Sequence, residues 1–572
     1  MQQWEVQRMS DRNSELHFGS VPSIDIQRSK LTKGHDLKTT FSNGQLIPIY
    51  LDDLVPGTTI KMRMSELVRM MTPLCPVMDN AFLDTYFYFV PHRLTWEHWQ
   101  EFMGENKTEP WAQNVEYEIP QIRVPETGWA TGSLGDYLGL PIKRVGDSWT
   151  SSALPARAYC LIWNSWFRDE NLQTPVYISM GDSEIQGVNK GDSYDYVTDT
   201  EKGAAPLRAC KIHDFFTSAL PQAQKGPAIN VPLGESAPVM ATKPEEMPAG
   251  YTYSSNLDGK PIGIFRNSSG TDIYDTTDES NRLTTGYKAI GLVADLSEAV
   301  GATVNELRMA FQVQKFYERA ARSGSRYIET ILAHFSVTNP DFRLQRPEYL
   351  GGKRIPINMN QVVQTDASGK SSYWVKDETL TAGGYWQTDD KTPQGNTAAY
   401  SVTSDSNDDL FTWSCTEHGY IMGLAVVRTQ HTYSQGLNEL HSRKSMFHFY
   451  WPELANIGEQ PILNKQIYLQ GTDDDDKAFG YQEAWASYRY YPDQLTGLMR
   501  PDADQNLSHW TYADDYESLP KLDGEWIQEP EENMARTLAV QDQPHFFGDF
   551  YFAPVYTLPM PLYSVPGLID HH

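Results

Sequence analysis

The chain alternates between short apolar runs and segments rich in Pro, Gly, Asn and Asp. Some of the runs lie near the start of the chain and others near its end, with long connections between them, so early and late segments are expected to pair. The pattern predicts a mainly β protein, a sandwich of the Greek-key or jelly-roll type with long inserted loops. Six runs have the length and the aromatic or β-branched content of strands: Leu46 to Leu51, Thr59 to Met64, Leu83 to Val90, Tyr420 to Val427, Met446 to Trp451 and Phe546 to Tyr556.

The run from Leu83 to Val90 is apolar at nearly every position, which is typical of a strand buried on both faces. Pro91 follows it and ends the run. A short helix is predicted next, with Thr95 as its cap. Aromatic and aliphatic side chains at helical spacing are expected to pack this helix against the strand: Trp96, Trp99, Phe102 and Met103.

Two longer helices interrupt the strand pattern. The first is predicted from about Pro155 to Asp169, because proline suits the opening turn of a helix. The second begins at Thr303, whose spacing to Glu306 matches a capping box, and continues to about Arg322.

The remaining segments define the domain organisation. Residues 1–43 are polar and mixed in charge and are predicted to be an N-terminal arm that lies on another surface. Residues 44–572 are predicted to form one domain with long insertions. Between Pro232 and Gly301 the composition is Thr, Ser, Gly, Asp and Tyr without periodicity, so residues 232–301 are predicted to be a surface excursion.

Size, aromatic content and charge limit the function. The 572 residues exceed the roughly 250–300 residues of one ordinary hydrophobic core, so long excursions or several domains are expected. Aromatic residues make up 12% of the chain, and Tyr and Trp are enriched at contacts between subunits. The net charge of −27 argues against an outer surface that grips polyanions.

Signals for catalysis, metal binding and membrane insertion are weak or missing in the sequence. It has no nucleophile elbow, no phosphate-binding Gly-rich loop and no zinc-protease motif. The run from Asp473 to Asp476 offers carboxylates to a divalent cation, but it lacks the spacing of a calcium loop, which favours an unstructured acidic loop. No stretch approaches about eighteen consecutive apolar residues. No enzyme activity, cofactor, metal or membrane insertion is therefore expected. Four separated cysteines are expected to be buried thiols: Cys75, Cys160, Cys210 and Cys415.

Several long strings in this sequence resemble the major capsid proteins of the microviruses, small single-stranded DNA phages, and in particular those of the gokushovirus branch. The strings follow the family's order along nearly the whole chain. They are Met9 to Asn13, Pro73 to Asp79, Leu83 to Leu94, Arg157 to Asp169, Phe311 to Lys315, Arg346 to Gly352, Asn456 to Gln460, Tyr488 to Tyr490 and Met560 to His571.

The resemblance implies an eight-stranded viral jelly roll whose copies form a T=1 icosahedral shell around circular single-stranded DNA. It also implies a virion component that is assembled in the cytoplasm of a bacterial host. The family's surface insertion, which forms protrusions at threefold axes and is thought to meet the host, maps onto Pro232 to Gly301. A host cell-surface receptor, such as a glycan, is the further partner implied. Because the chain is acidic overall, a separate small basic DNA-packaging protein is expected as the charge partner of the DNA.

Four cations on the second predicted helix form the candidate contact with DNA. Arg308, Lys315, Arg319 and Arg322 are spaced so that all fall on one narrow helical face. If this face looks into the shell, it would follow the phosphate backbone. A solvated helix face and a subunit contact are the alternatives.

Two functions from other classes fit the same composition. A β-sandwich carbohydrate-active enzyme would stack sugars on exposed aromatic rings and hydrolyse them with two carboxylates. A glycan-binding module would use the rings alone.

Overall fold

The computed structural model describes residues 27–105, 117–145, 149–191, 194–226, 239–241, 254–257, 260–267, 270–275, 292–294, 304–322, 326–361, 372–376, 384–388 and 399–563. Its contacts divide the chain into two compact units, residues 1–223 with 322–572 (the sandwich unit) and residues 224–321 (the insertion unit).

Strands are numbered in chain order. They are β1 (Ser29–Thr32), β2 (His35–Phe41), β3 (Ile47–Leu54), β4 (Thr59–Met70), β5 (Ala81–Pro91), β6 (Gln121–Arg123), β7 (Thr150–Ser152), β8 (Ile185–Gln186), β9 (Val239–Ala241), β10 (Ser254–Leu257), β11 (Lys260–Asn267), β12 (Gly270–Asp275), β13 (Leu292–Ala294), β14 (Glu348–Pro356), β15 (Met359–Gln361), β16 (Ser372–Lys376), β17 (Gly384–Thr388), β18 (Ala399–Ser414), β19 (Gly419–Thr429), β20 (Glu459–Leu463), β21 (Ala478–Glu483), β22 (Phe546–Phe552) and β23 (Val555–Leu558).

The helices are α1 (Trp99–Phe102), α2 (Leu134–Tyr137), α3 (Leu154–Ile162), α4 (Tyr196–Asp199), α5 (Val304–Arg322), α6 (Tyr327–Phe335), α7 (Glu439–Ser442), α8 (Asn464–Ile467) and α9 (Glu532–Ala535).

Two antiparallel sheets form the sandwich unit. One has the strand order β14-β5-β19-β3, and the other has β1-β23-β4-β18-β15, with β22 joining β2 to β4. The ends of the chain pair in the second sheet, where Ser29 lies opposite Leu558 and His35 lies opposite Phe552. The predicted mainly β sandwich, with early and late segments paired, is confirmed. Residues 29–41 of the predicted arm therefore belong to the sheet, and residues 1–26 lie outside the described residues.

Strand β5 is buried on both faces, as its sequence predicts. Phe87 and Phe89 point into the core between the sheets, where they meet side chains of β4 and β22. Tyr88 and Val90 point the other way, into a second core against α3. A strand with apolar partners on each side explains the continuous apolar run.

The predicted helices are present with shifted ends. The first comprises α3 and a π-turn at Trp163–Phe167, and the second is α5. Thr303, the predicted cap of α5, lies outside the described residues. The capping role predicted for Thr95 is wrong, because His98 stands at the N-cap of α1. The hydroxyl of Thr95 instead donates to the carbonyl of His92 over 2.9 Å and closes the preceding 3-10 turn.

Two further predictions need correction. The run Met446 to Trp451 is not a strand but a 3-10 turn at Met446–His448 followed by irregular chain. The run Phe546 to Tyr556 is two strands, β22 and β23, with Pro554 between them, where a missing N–H ends the ladder. Within 232–301, β10, β11 and β12 form a three-stranded antiparallel sheet and β9 pairs with β13, strands that the sequence pattern did not predict.

Candidate assembly and nucleic-acid surfaces

An apolar surface follows β19 in the sandwich unit. It is held in place by local contacts: Trp451 Nε1 donates to the carbonyl of Met446 over 2.9 Å, and the Arg443 guanidinium lies 4.3 Å from the ring centre of Tyr488. Because these contacts fix the side chains while leaving them in water, the surface is suited to protein–protein contact. The aromatic surface comprises Leu440, Met446, Phe447, Phe449, Tyr450, Trp451 and Tyr488, each between 45% and 62% exposed.

A groove of about 740 Å³ opens beside the aromatic surface. Phe215, Leu469 and Tyr491 line it, and Tyr491 is 70% exposed. The carboxylates of Glu439 and Asp493 also line it, together with two arginines, so its polar lining is mixed in sign. The groove therefore extends the apolar surface and lacks the cationic excess of a DNA-binding cleft.

The four predicted DNA-contacting cations all lie on α5 and are all exposed. Arg308, Lys315 and Arg319 belong to the insertion unit and form no ion pair with another described residue. Arg322 belongs to the sandwich unit, where it forms an ion pair with the buried carboxylate of Glu459. Part of the charge of Arg322 is thus already neutralised within the chain.

The basic residues that follow α5 are also mostly paired. Arg354 Nε lies 2.6 Å from Asp84 Oδ1, and Lys353 Nζ lies 2.5 Å from Glu66 Oε1. Much of their positive charge is therefore already neutralised within the chain.

The acidic run at Asp473–Asp476 forms an ordered 3-10 turn, which corrects the expectation of an unstructured loop. Asp475 is buried and accepts hydrogen bonds from the backbone N–H groups of residues 470, 471 and 472, the shortest at 2.7 Å from Gly471. The Asp475 carboxylate therefore serves as a hydrogen-bond acceptor for the backbone of this turn.

The described residues offer no group of three or more His, Cys, Asp or Glu side chains that could hold a metal ion. The four cysteines are buried and unpaired, as predicted. Burial raises the pKa of Cys75 to about 11 and that of Cys210 to about 12, so both remain protonated thiols at neutral pH. Within the part of the chain that the structure describes, no helix is long and apolar enough to cross a membrane.

An exposed apolar surface that local contacts hold in place is typical of structural proteins that assemble with other chains. The family model described as "Capsid protein (F protein)" matches residues 19–568, and the chain belongs to this family of phage capsid proteins. It is a structural component of the virion and not an enzyme, and the carbohydrate-active-enzyme alternative is not supported.

Curated relatives match over almost their whole length. Capsid protein VP1 of Spiroplasma virus 4 is 38% identical over 98% of this chain and 99% of that protein. Capsid protein VP1 of Bdellovibrio phage phiMH2K is 37% identical over 98% of this chain and 99% of that protein. Capsid protein VP1 of Chlamydia phage 1 is 35% identical over 96% of this chain and 97% of that protein.

Sequence reasoning misread the aromatic surface. The run Met446 to Trp451 has the composition of a buried strand, yet Phe447 is 62% exposed. The usable signal was the flanking charge of Arg443 and Lys444, since Arg and aromatic residues together are typical of interfaces.

Proposed function

We propose that copies of this chain assemble into a T=1 icosahedral shell that encloses circular single-stranded DNA. The observation that carries the proposal is the aromatic surface, which stays open to water in the single chain although local contacts hold Trp451 and Tyr488 in place. Closure of a symmetric shell would cover such surfaces many times over, and each contact gains from removing apolar area from water.

Electron microscopy of the purified full-length chain tests this proposal. Isometric particles of uniform diameter are the expected result, accompanied by a sharp, fast boundary in analytical ultracentrifugation. A chain that stays monomeric across a wide range of protein concentration and salt would contradict it.

The basic face of α5 is the proposed contact with packaged DNA. Arg308, Lys315, Arg319 and Arg322 lie on one helical face and are exposed, which suits sequence-independent contact with phosphates. Arg322 should contribute least because Glu459 already neutralises it.

Segment 232–301 is the proposed host-attachment element, with a host cell-surface receptor, such as a glycan, as its partner. Its described strands β10 to β12 form a small sheet of their own, which suits a separate element that meets another molecule. Arg308, Lys315 and Arg319 belong to the same compact unit as 232–301, so a set of variants can test the α5 proposal and the attachment proposal against each other.

One pair of variants separates the two roles. Arg308→Ala/Lys315→Ala/Arg319→Ala should lower the DNA content of particles if α5 lines the shell, and should lower adsorption to host cells if the insertion unit faces outward. Deletion of 232–301 should abolish adsorption while particles still form. Unchanged adsorption of the deletion variant would contradict the attachment role.

A small basic DNA-packaging protein is the proposed charge partner. With a net charge of −27, the chain supplies too few free cations to neutralise a packaged genome. Particles assembled with DNA but without such a protein should therefore lose their DNA at lower salt than particles that contain it.

A further inference from the structure

Helix α6 turns its apolar side toward water. Tyr327 is 70% exposed, Leu332 is 51% exposed and Phe335 is 74% exposed, and the three fall on one side of the helix. In the chain that follows the helix, Val337 and Phe342 are also exposed, at 53% and 56%. An ordinary surface helix has the opposite arrangement, with its apolar stripe toward the core.

Polar contacts fix α6 in this orientation. Arg326, at the N-cap, lies with Nη1 3.0 Å from Glu170 Oε2, and its Nη2 donates to the carbonyl of Arg168 over 2.7 Å. The backbone N–H of Arg326 donates to Glu329 Oε2 over 3.0 Å. Rotating the helix to bury Phe335 would pull Glu329 and Arg326 away from these partly buried partners.

The exposed face is large and uncharged. Five side chains that are each more than half exposed present on the order of 400–500 Å² of surface, since an aromatic side chain covers roughly 150–250 Å² when buried. This is about half of one side of a standard protein interface, which buries roughly 800 Å² per partner. No Lys, Arg, Asp or Glu stands among the five, as is typical of an interface centre and unlike a surface that binds phosphates.

We propose that this face, formed by Tyr327, Leu332, Phe335, Val337 and Phe342, packs against a second copy of the chain. The partner is a second copy because a virion component is surrounded by like copies at high local concentration, and an exposed apolar patch of this size often marks a protein–protein contact. The inference rests on the proposed shell and adds to it one defined contact, independent of the aromatic surface.

Hydroxyl-radical footprinting of the wild-type chain tests the contact without any substitution. Tyr327 and Phe335 should be oxidised readily in the dissociated chain and at least about tenfold more slowly in assembled particles. Met78, which is 71% exposed and lies elsewhere on the sandwich unit, calibrates the radical dose in the dissociated chain. Protection of Tyr327 and Phe335 already in the monomer would mean that another segment of the same chain covers the face. Equal oxidation in both states would mean that the face stays in water in the particle. Either result overturns the proposal.

A matched pair of variants gives the second arm. Phe335→Asp places a charge at the centre of the face and should reduce particle yield at least about tenfold, while Phe335→Leu keeps an apolar side chain and should retain assembly. Both should unfold at the wild-type temperature when unassembled, because position 335 is mostly exposed. If a folded Phe335→Asp variant assembles normally, the proposed contact is wrong and the proposed shell stands. If the wild-type chain forms no particles, both proposals are wrong.

Discussion

His431 Nδ1 lies 3.0 Å from Asp514 Oδ1, and both side chains are buried. On its other side, His431 Nε2 lies 2.9 Å from Glu529 Oε2. Burial by itself would lower the pKa of His431, but the two carboxylates outweigh it and raise the pKa to about 10. The imidazolium therefore joins the segment after β19 to two points in the C-terminal part of the chain.

Replacing His431 with Ala should destabilise the chain strongly. The change leaves the carboxylates of Asp514 and Glu529 buried without the cation between them, and removing one partner of a buried ion pair typically costs about 3–5 kcal/mol. The free energy of unfolding, from denaturant titration at pH 7, is the measurement. His441→Ala, at an exposed position, is the control and should change this free energy by less than about 0.5 kcal/mol.

The same cluster predicts how stability depends on pH. The pKa of His431 is raised from an ordinary value of 6.5 to about 10, so its contribution is complete below pH 6.5 and is lost as the pH rises through 10. Burial would raise the pKa of Asp514, but Lys211 and His431 lower it below the ordinary value of 3.8, so its contribution is present above pH 3.8 and is lost in stronger acid. Both contributions are complete between about pH 4 and pH 6.5, so the cluster stabilises the folded chain most in that range.

Comparison of unfolding curves for wild type and His431→Ala between pH 3 and pH 11 isolates the histidine. The difference between the two chains should shrink as the pH rises from about 6.5 to about 10, because the unfolded chain has then released the His431 proton that the folded wild-type chain still holds. A difference that stays constant up to pH 11 would show that the charge of His431 does not hold the cluster.

The sequence pattern correctly predicts those elements whose apolar side chains are buried by other parts of the same chain. Leu83 to Val90 is identified correctly because both faces of β5 meet apolar neighbours of the same chain. The run Met446 to Trp451 is misread because a buried strand and an exposed protein-contact surface can have the same aromatic composition. Strands β10 and β12 are missed because they consist mainly of Ser, Thr, Asn, Asp and Gly and carry few apolar residues. The His431 cluster joins residues about 100 positions apart and has no local signal.

Gly203→Ala should destabilise the chain through a clash with Trp129. A Cβ at Gly203 would lie 2.5 Å from the buried Trp129 ring, and the backbone there has φ +85°. Gly139 is a matched control, since its φ is +87° and a Cβ there would meet nothing within 4 Å. Both changes carry the same backbone strain, and Gly203→Ala should cost about 1–3 kcal/mol more because of overpacking. Equal losses in unfolding free energy would mean that Trp129 moves aside freely.

Phe447→Ala and Phe550→Ala make the same chemical change on the two kinds of apolar surface in this chain. Phe550 is fully buried between the sheets, and its truncation should cost about 3–5 kcal/mol of unfolding free energy. Phe447 is 62% exposed, so its truncation should leave the unfolding free energy within about 0.5 kcal/mol and should instead raise the protein concentration at which particles form. Light scattering against concentration measures the second effect, and calorimetry of the unassembled chain measures the first. If Phe447→Ala assembles at the wild-type concentration, the aromatic surface is not a contact between copies.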